Sequence, residues 1–260
     1  MSEKIISVTL TAPFGFLKKT DINEDIFLTH NLLHKPAVLG ILGAISGLGG
    51  FSQSYFTDPK KLPEYYKELS DIPIGIKPIT GYNSAVFKKS YLKYNNSTGS
   101  ASEEPGGNLI VKEQFLVKPK FRVYLKLDES IQIHKTIIDR LNKSEAVFIP
   151  YLGKNEYHLW WEDFSSEEFE NFIPQFSESY QIDTIFIKKG DEKITSGAAL
   201  FALLSENSVF TFERLPTGYD TERRVYKFDD FVYTNSKIAG SYNPGNLYKL
   251  SESGLILQLN

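Results

Sequence analysis

Hydrophobic positions along this chain repeat with two periods. Ile5 to Leu10, IISVTL, is β-branched nearly throughout and predicts a first strand. Pro36 to Gly50, PAVLGILGAISGLGG, carries no charge and repeats with a helical period. On one side of that helix fall Gly40, Gly43, Ala44 and Gly47; on the other fall Val38, Ile41, Leu42, Ile45 and Leu48. Pro36 suits a first helical position, where its missing N–H is not needed, and Gly49-Gly50 is the expected end. A glycine inside a helix costs about 1 kcal/mol relative to alanine. Glycines gathered on one face imply a close approach to that backbone, in the simplest case by a sheet on which the helix is pressed.

The remaining elements follow by pattern. Pro59 to Leu69 predicts a short second helix. Pro78 to Lys93 and Lys112 to Leu127 alternate and predict two long strands. Between them lies NNSTGSASEEPGGN, Asn95 to Asn108, too poor in apolar residues to bury a core and so expected as a mobile tip. Ile131 to Leu141 reads as a helix, Tyr157 to Trp161 and Ile182 to Ile187 as strands, and Thr195 to Asn260 as a β-rich region with frequent turns. There is no internal repeat. The order strand, helix, strand, strand, helix, strand is that of an α+β, ferredoxin-like (RRM-type) domain. The expected layout is residues 1–163 with a long hairpin at about 78–127, then a β-rich region over 164–260.

One strand has a chemical character of its own. In KPKFRVYLKL, Pro119, Phe121, Val123, Leu125 and Leu127 form an apolar face, while Lys118, Lys120, Arg122, Tyr124 and Lys126 form the other. The expected opposing strand adds Lys88, Lys89, Tyr91, Lys93 and Tyr94. Cations spaced along a track suit phosphates, and aromatic rings among them suit bases. The competing reading is a solvated hairpin face, where lysine also blocks edge-to-edge pairing.

Composition limits the field. With 29 Lys and Arg against 32 Asp and Glu the net charge is −3, which argues against a wholesale nucleic-acid coat but not against a local basic groove. There is no cysteine, so disulfides and thiolate chemistry are excluded. The longest apolar run is too short to span a bilayer, and MSEKIISVTL lacks the layout of a signal peptide, so no membrane partner and a cytoplasmic location are expected. Catalytic candidates are sparse. His30 and His34 are four apart without a carboxylate at zinc-helix spacing. His134-Lys135 opens the second long helix, where acid–base chemistry is conceivable. Gly47 to Gly50 lacks the Gly-Lys-Ser/Thr of a phosphate loop. Glu162, Asp163, Glu167, Glu168 and Glu170 are acidic, but Ser165-Ser166 before the glutamates reads as a helix cap and first turn rather than a metal site. No catalytic residue, metal or cofactor is therefore assigned.

Four segments in order carry a resemblance. THNLLHKPAVLGILGAISGL (Thr29 to Leu48), FLVKPKFRVYL (Phe115 to Leu125), IPYLGKNE (Ile149 to Glu156) and FERLPTGYDTERRVYKFDDFVY (Phe212 to Tyr233) resemble motifs of the Cas-five family of type I CRISPR Cascade subunits, within the RAMP superfamily. The last segment resembles the subtype I-B branch. The resemblance implies a ferredoxin-like domain with a protruding hairpin, the thumb, and an antiviral ribonucleoprotein role. Such a subunit holds the 5′ handle of the guide RNA and caps a backbone of Cas-seven-type subunits. It also contacts a Cas-eight-type large subunit, with target DNA in the assembled complex. It further implies that Lys118, Lys120, Arg122 and Lys154 meet phosphates, with Lys88, Lys89 and Lys93 alongside. Tyr91, Tyr94 or Tyr124 would then stack on a base. The face of Gly40, Gly43, Ala44 and Gly47 would admit the handle, the sheet or an adjoining subunit.

One branch of that family cleaves precursor RNA with a tyrosine near the first helix and a lysine–histidine pair at the second. Here Asn31-Leu32-Leu33-His34 has no tyrosine, and His134-Lys135 is reversed. The expectation is a non-catalytic RNA-binding subunit. A metal-independent processing ribonuclease and an unrelated soluble binding protein are the alternatives.

Overall fold

The structure is a computed structural model that describes residues 3–20, 22, 25–53, 61–81, 84–95, 110–188, 207–220, 222–223 and 225–260. Its centre is a four-stranded antiparallel sheet with spatial order β4-β7-β1-β8, built from β1 (Glu3–Thr11), β4 (Ile74–Pro78), β7 (Lys120–Asp128) and β8 (Trp160–Glu167). Helix α1 (Lys35–Ser46) lies between β1 and β4 in the chain, and α3 (Gln132–Lys143) between β7 and β8. Helices and sheet strands thus interleave along the chain. Ile6, Val8 and Leu10 of β1 join Val123 and Leu125 of β7 in one core with Ile41 and Ile45 of α1 and Ile137 of α3. A short helix α2 (Glu64–Leu69) packs on α1.

A second sheet carries the hairpin. β5 (Lys89–Asn95) pairs with β6 (Ile110–Val117), which also pairs with β2 (Phe14–Gly15) and, in parallel, with β3 (Ile26–Phe27). The expected tip at Asn95 to Asn108 lies outside the described residues apart from Asn95, which ends β5.

The C-terminal part is indeed rich in strands. β12 (Phe210–Asp220) and β13 (Val225–Thr234) form a long hairpin with β11 (Phe186–Ile187) at its side. β9 (Phe169–Asn171), β15 (Leu247–Leu250) and β16 (Ile256–Gln258) form another sheet, and β10 (Ser179–Tyr180) pairs with β14 (Ile238–Ala239). The chain end is stitched to β4: Asn260 and Ile74 exchange backbone hydrogen bonds of 3.1 and 2.9 Å. Gly75 permits the approach, since a Cβ there would sit 2.7 Å from Leu259 Cδ2.

Several expectations are corrected. The predicted strand from Pro78 to Lys93 is two strands in different sheets. β4 ends at Pro78, and the Thr80 hydroxyl then accepts the Ser84 and Ala85 N–H groups at 3.1 and 3.2 Å, bending the chain. The predicted strand from Lys112 to Leu127 is likewise broken at Lys118, whose φ of 49° turns the chain from β6 into β7. Within the expected span 78–127, the paired hairpin strands of the second sheet are β5 and β6. Helix α1 ends at Gly47, in the left-handed conformation at φ 82°, rather than at Gly49-Gly50. Ser165 and Ser166 lie within β8 and cap no helix. The division at 163/164 falls inside β8, and Ile185, Leu215, Phe231 and Tyr233 share the main core. No helix among the described residues is long and apolar enough to cross a membrane.

Candidate functional site

The cations and aromatics that looked like one track occupy two surfaces with opposite fates. The alternating side chains of β7 pair across to β1 as Lys120 with Thr11, Arg122 with Thr9, Tyr124 with Ser7 and Lys126 with Ile5. C-terminal strands cover the far end of this row. Tyr124 is only 4% exposed and packs with Ile5, Leu250, Leu257 and Leu259. Burial pushes its phenol up to about 12, against the lowering influence of Arg122. It cannot stack on a base. Lys126 pairs with Glu3 at 3.1 Å and lies over the Phe169 and Tyr248 rings. Arg122 donates to Thr9 Oγ1 at 3.0 Å, to Ser7 Oγ at 2.7 Å and to the Asp163 carbonyl. Its guanidinium satisfies the buried hydroxyls of β1 rather than a phosphate. Lys120 pairs with Glu162 at 2.6 Å, an exposed contact that a stronger anion can displace.

The β5–β6 hairpin is different. In register, Lys93 lies opposite Lys112 and Tyr91 opposite Gln114. Tyr91 is 63% exposed, its hydroxyl accepting from Gln114 Nε2 at 2.9 Å, and Leu92 and Lys93 beside it are exposed too. Lys88, just before the strand, is also exposed, while Lys89 is half-buried. Burial lowers the Lys89 ammonium from its ordinary value, with Glu213 opposing and Lys19 reinforcing. Tyr94 turns inward and donates to Glu113 Oε1 at 3.3 Å.

Lys154 is held against the root of this hairpin. It pairs with the buried Glu113 carboxylate at 2.5 Å and lies over the Tyr94 and Phe16 rings. Burial alone would lower its ammonium, but the Glu113 hydrogen bond and charge, with Tyr94, raise it above the ordinary lysine value. The preceding Gly153, at φ 86°, cannot be replaced, since a Cβ would meet the Phe16 carbonyl oxygen at 1.7 Å. The Gly-Lys turn is thus locked onto the hairpin sheet.

The glycine face of α1 is closed by protein. A Cβ on Gly43 would fall 2.5 Å from Tyr65 Cβ in α2, and one on Gly47 would fall 2.8 Å from Val147. Ala44 and Ile45 carbonyls accept from Phe148 and Val147 N–H at 3.0 and 3.2 Å. Of the four residues on this face, Gly40 alone among the glycines meets nothing within 4 Å among the described residues. The close approach expected from the pattern is real, and its occupants are α2 and the segment after α3.

The histidine pair is a structural clamp. His34 caps α1 by accepting the Ala37 N–H at 3.3 Å, and its ring lies edge-on to that of His30. Glu213 of β12 accepts the Asn31 N–H at 3.0 Å and the Leu32 N–H at 2.8 Å, with Lys19 at 3.4 Å and His30 at 3.5 Å. Burial, reinforced by His30, holds His34 down at about 3, with Glu213 opposing. Burial would raise Glu213, but His30 and the two backbone amides hold it below the usual carboxylate range. Sequence offered no signal for this partner, which is 182 residues from Asn31. His134 spends its Nδ1 accepting the Asp128 N–H at 3.1 Å, and burial lowers its pKa. Among the described residues no group of His, Asp and Glu has the arrangement of a metal site.

No family model and no curated protein matches the sequence. Solved structures do match. A chain from the type III-B Cmr-beta assembly bound to cognate target RNA and AMPPnP is similar over 91% of this chain and 86% of its own, at 10% identity and TM-score 0.51. A CRISPR protein from Archaeoglobus fulgidus matches over 99% and 98%, at 13% identity and TM-score 0.48. A chain of a CRISPR RNA-guided surveillance complex matches over 92% and 94%, at 12% identity and TM-score 0.46. At these identities the likeness is one of fold.

Proposed function

We propose that this chain is a non-catalytic, RNA-binding subunit of a CRISPR effector complex. On this reading it is a ferredoxin-like, Cas-five-type protein whose β5–β6 hairpin is the thumb. The observation that carries it is the open hairpin, with Lys88, Lys93 and Tyr91 exposed, on a fold shared with a chain of an RNA-bound Cmr-beta assembly. The strand order β4-β7-β1-β8 with interleaved α1 and α3 supports the ferredoxin-like assignment. The four sequence motifs support the Cas-five assignment and the I-B branch. They also carry the expected neighbours: a guide-RNA 5′ handle, Cas-seven-type and Cas-eight-type subunits, and target DNA, in the cytoplasm.

Lys88, Lys93 and Lys112 then neutralise phosphates of the handle, and Tyr91 offers its ring to an unstacked base. The test is handle-RNA binding at several salt concentrations. Combined Lys88→Ala and Lys93→Ala substitution lowers the salt slope by about two and weakens binding to handle RNA. Unchanged affinity and slope would overturn the assignment of the hairpin. A ribonuclease reading is disfavoured by the engaged His134 ring. Specific metal-independent cleavage of precursor repeat RNA, lost on His134→Ala, would replace the non-catalytic reading.

A further inference from the structure

A trough of about 580 Å³ opens at the end of the central sheet where β1, β7 and β8 run in register as Thr11 opposite Lys120 and Thr11 opposite Trp160. Its walls include Pro13, Pro119, Lys118, Lys120, His158 and Trp160. The volume is in the range of small-ligand sites. Trp160 is 42% exposed, yet its position is set. Its ring stacks on that of Trp161 with centroids 4.4 Å apart and planes 20° apart. Trp161 is itself buried, at 3% exposure, and anchored by its indole N–H to the Leu141 carbonyl at 2.8 Å. One face of the outer indole rests on a fixed partner, and the residue remains open to solvent. The rim is fixed as well, since Lys118 N–H donates to the Pro13 carbonyl at 2.8 Å and Ala12 N–H to the Pro119 carbonyl at 3.3 Å.

The charge of the rim identifies the occupant. Lys118 is exposed and has no ion pair among the described residues, His158 is exposed, and Lys120 holds only a surface contact with Glu162. Among the described residues no carboxylate lines the trough. A protein segment without carboxylates would find one apolar wall but no partner for the adjacent cations. A nucleotide uses both, with its base on the indole and its phosphate between the amines. We infer that the Trp160 trough binds an unpaired nucleotide of a single-stranded RNA, stacked on Trp160 and held through its phosphate by Lys118 and Lys120. This deepens the RNA-binding function proposed above and rests on it, but it places a second contact away from the hairpin.

The test is direct because Trp160 and Trp161 are the chain's 2 tryptophans, so its tryptophan fluorescence reports on this end of the sheet alone. An oligouridylate of about ten nucleotides, added to the full chain at low salt, quenches that fluorescence saturably. Anisotropy of the labelled strand then gives affinities for variants. Trp160→Ala weakens binding about five- to a hundredfold, and Lys118→Ala lowers the salt slope by about one. Trp160→Phe retains a ring on Trp161 and keeps most of the affinity, which separates stacking from misfolding. If Trp160→Ala and Lys118→Ala bind like the parent while Lys88→Ala with Lys93→Ala does not, the trough proposal falls and the hairpin reading stands. If no variant nor the parent binds the strand, both fall. Uridine monophosphate saturating with the same midpoint as the strand overturns the strand assignment in favour of a free nucleotide. Concentration-dependent dimerisation of the parent, lost in Trp160→Ala with RNA binding unchanged, overturns it in favour of a contact between copies.

Discussion

The polar face of β7 and the exposed face of β5 both set tyrosine among basic side chains, and yet only one of them faces solvent freely. Over β7, strands β15 and β16 arrive from the far end of the chain and bury Tyr124. The cations beside it are then drawn into internal partnerships, Arg122 with Ser7 and Thr9 and Lys126 with Glu3. Among the described residues β5 pairs on one side only, to β6, and keeps Tyr91 and Lys93 exposed. Alternation along a strand reports that its two faces differ. It does not report which distant segment will lie on the polar one.

The comparison is broken most decisively by truncating the two tyrosines. Tyr124→Ala removes a buried ring and costs about 3–5 kcal/mol of unfolding free energy. Tyr91→Ala stays within about 0.5 kcal/mol. Denaturant unfolding of both variants checks this, and equal losses would mean that β7 is not covered as described.

A covered site also refuses protons. His34 has a folded-state pKa held at about 3 against an ordinary 6.5, so within that window the unfolded chain takes up a proton that the fold declines. Stability therefore falls as pH falls from 6.5, by up to about 1.4 kcal/mol per pH unit, or about 2 kcal/mol at pH 5. His34→Asn keeps a cap acceptor for the Ala37 N–H and removes this part of the slope. Unfolding midpoints at pH 7 and pH 5 read the difference; parallel profiles of parent and variant would refute the half-buried, neutral His34.

Arg122→Ala deletes charge-assisted hydrogen bonds to Ser7 and Thr9 and costs about 2 kcal/mol, with RNA affinity affected only through that instability. Lys93→Ala does the opposite, leaving the melting temperature in place and weakening RNA binding. The smallest effect is that of Lys120→Ala on stability, within about 0.5 kcal/mol, because its partner Glu162 is as exposed as itself.

The aliphatic side of α1 was legible in sequence because a helical period shows itself within a few turns, and Val38, Ile41, Leu42 and Ile45 are all buried. The need for close approach was legible too, from Gly43 and Gly47. That Tyr65 and Val147 fill it was not, since neither lies within that helix. The acidic run at Glu162 to Glu170 misled because Ser165-Ser166 followed by glutamates has a cap signature. In the fold, β8 pairs with β1 through Ser165 and Ser166, and ladder hydrogen bonds outweigh that local preference. Trp160 gave no signal of its own, because exposure of an indole beside a buried one is not written in the adjacent letters.

By itself, then, the sequence determined the first strand, the two long helices, the apolar sides of α1 and β7, and the absence of cysteine chemistry. These are local properties, carried by periodicity and residue type over a few positions. Tertiary structure decided which polar groups remain available. Glu213 reaches Asn31 and Leu32 across most of the chain, β16 closes over Tyr124, and the turn at Lys118 divides the basic residues between two sheets. Availability for a ligand depends on what covers a face, and covering is the work of residues far away in the chain.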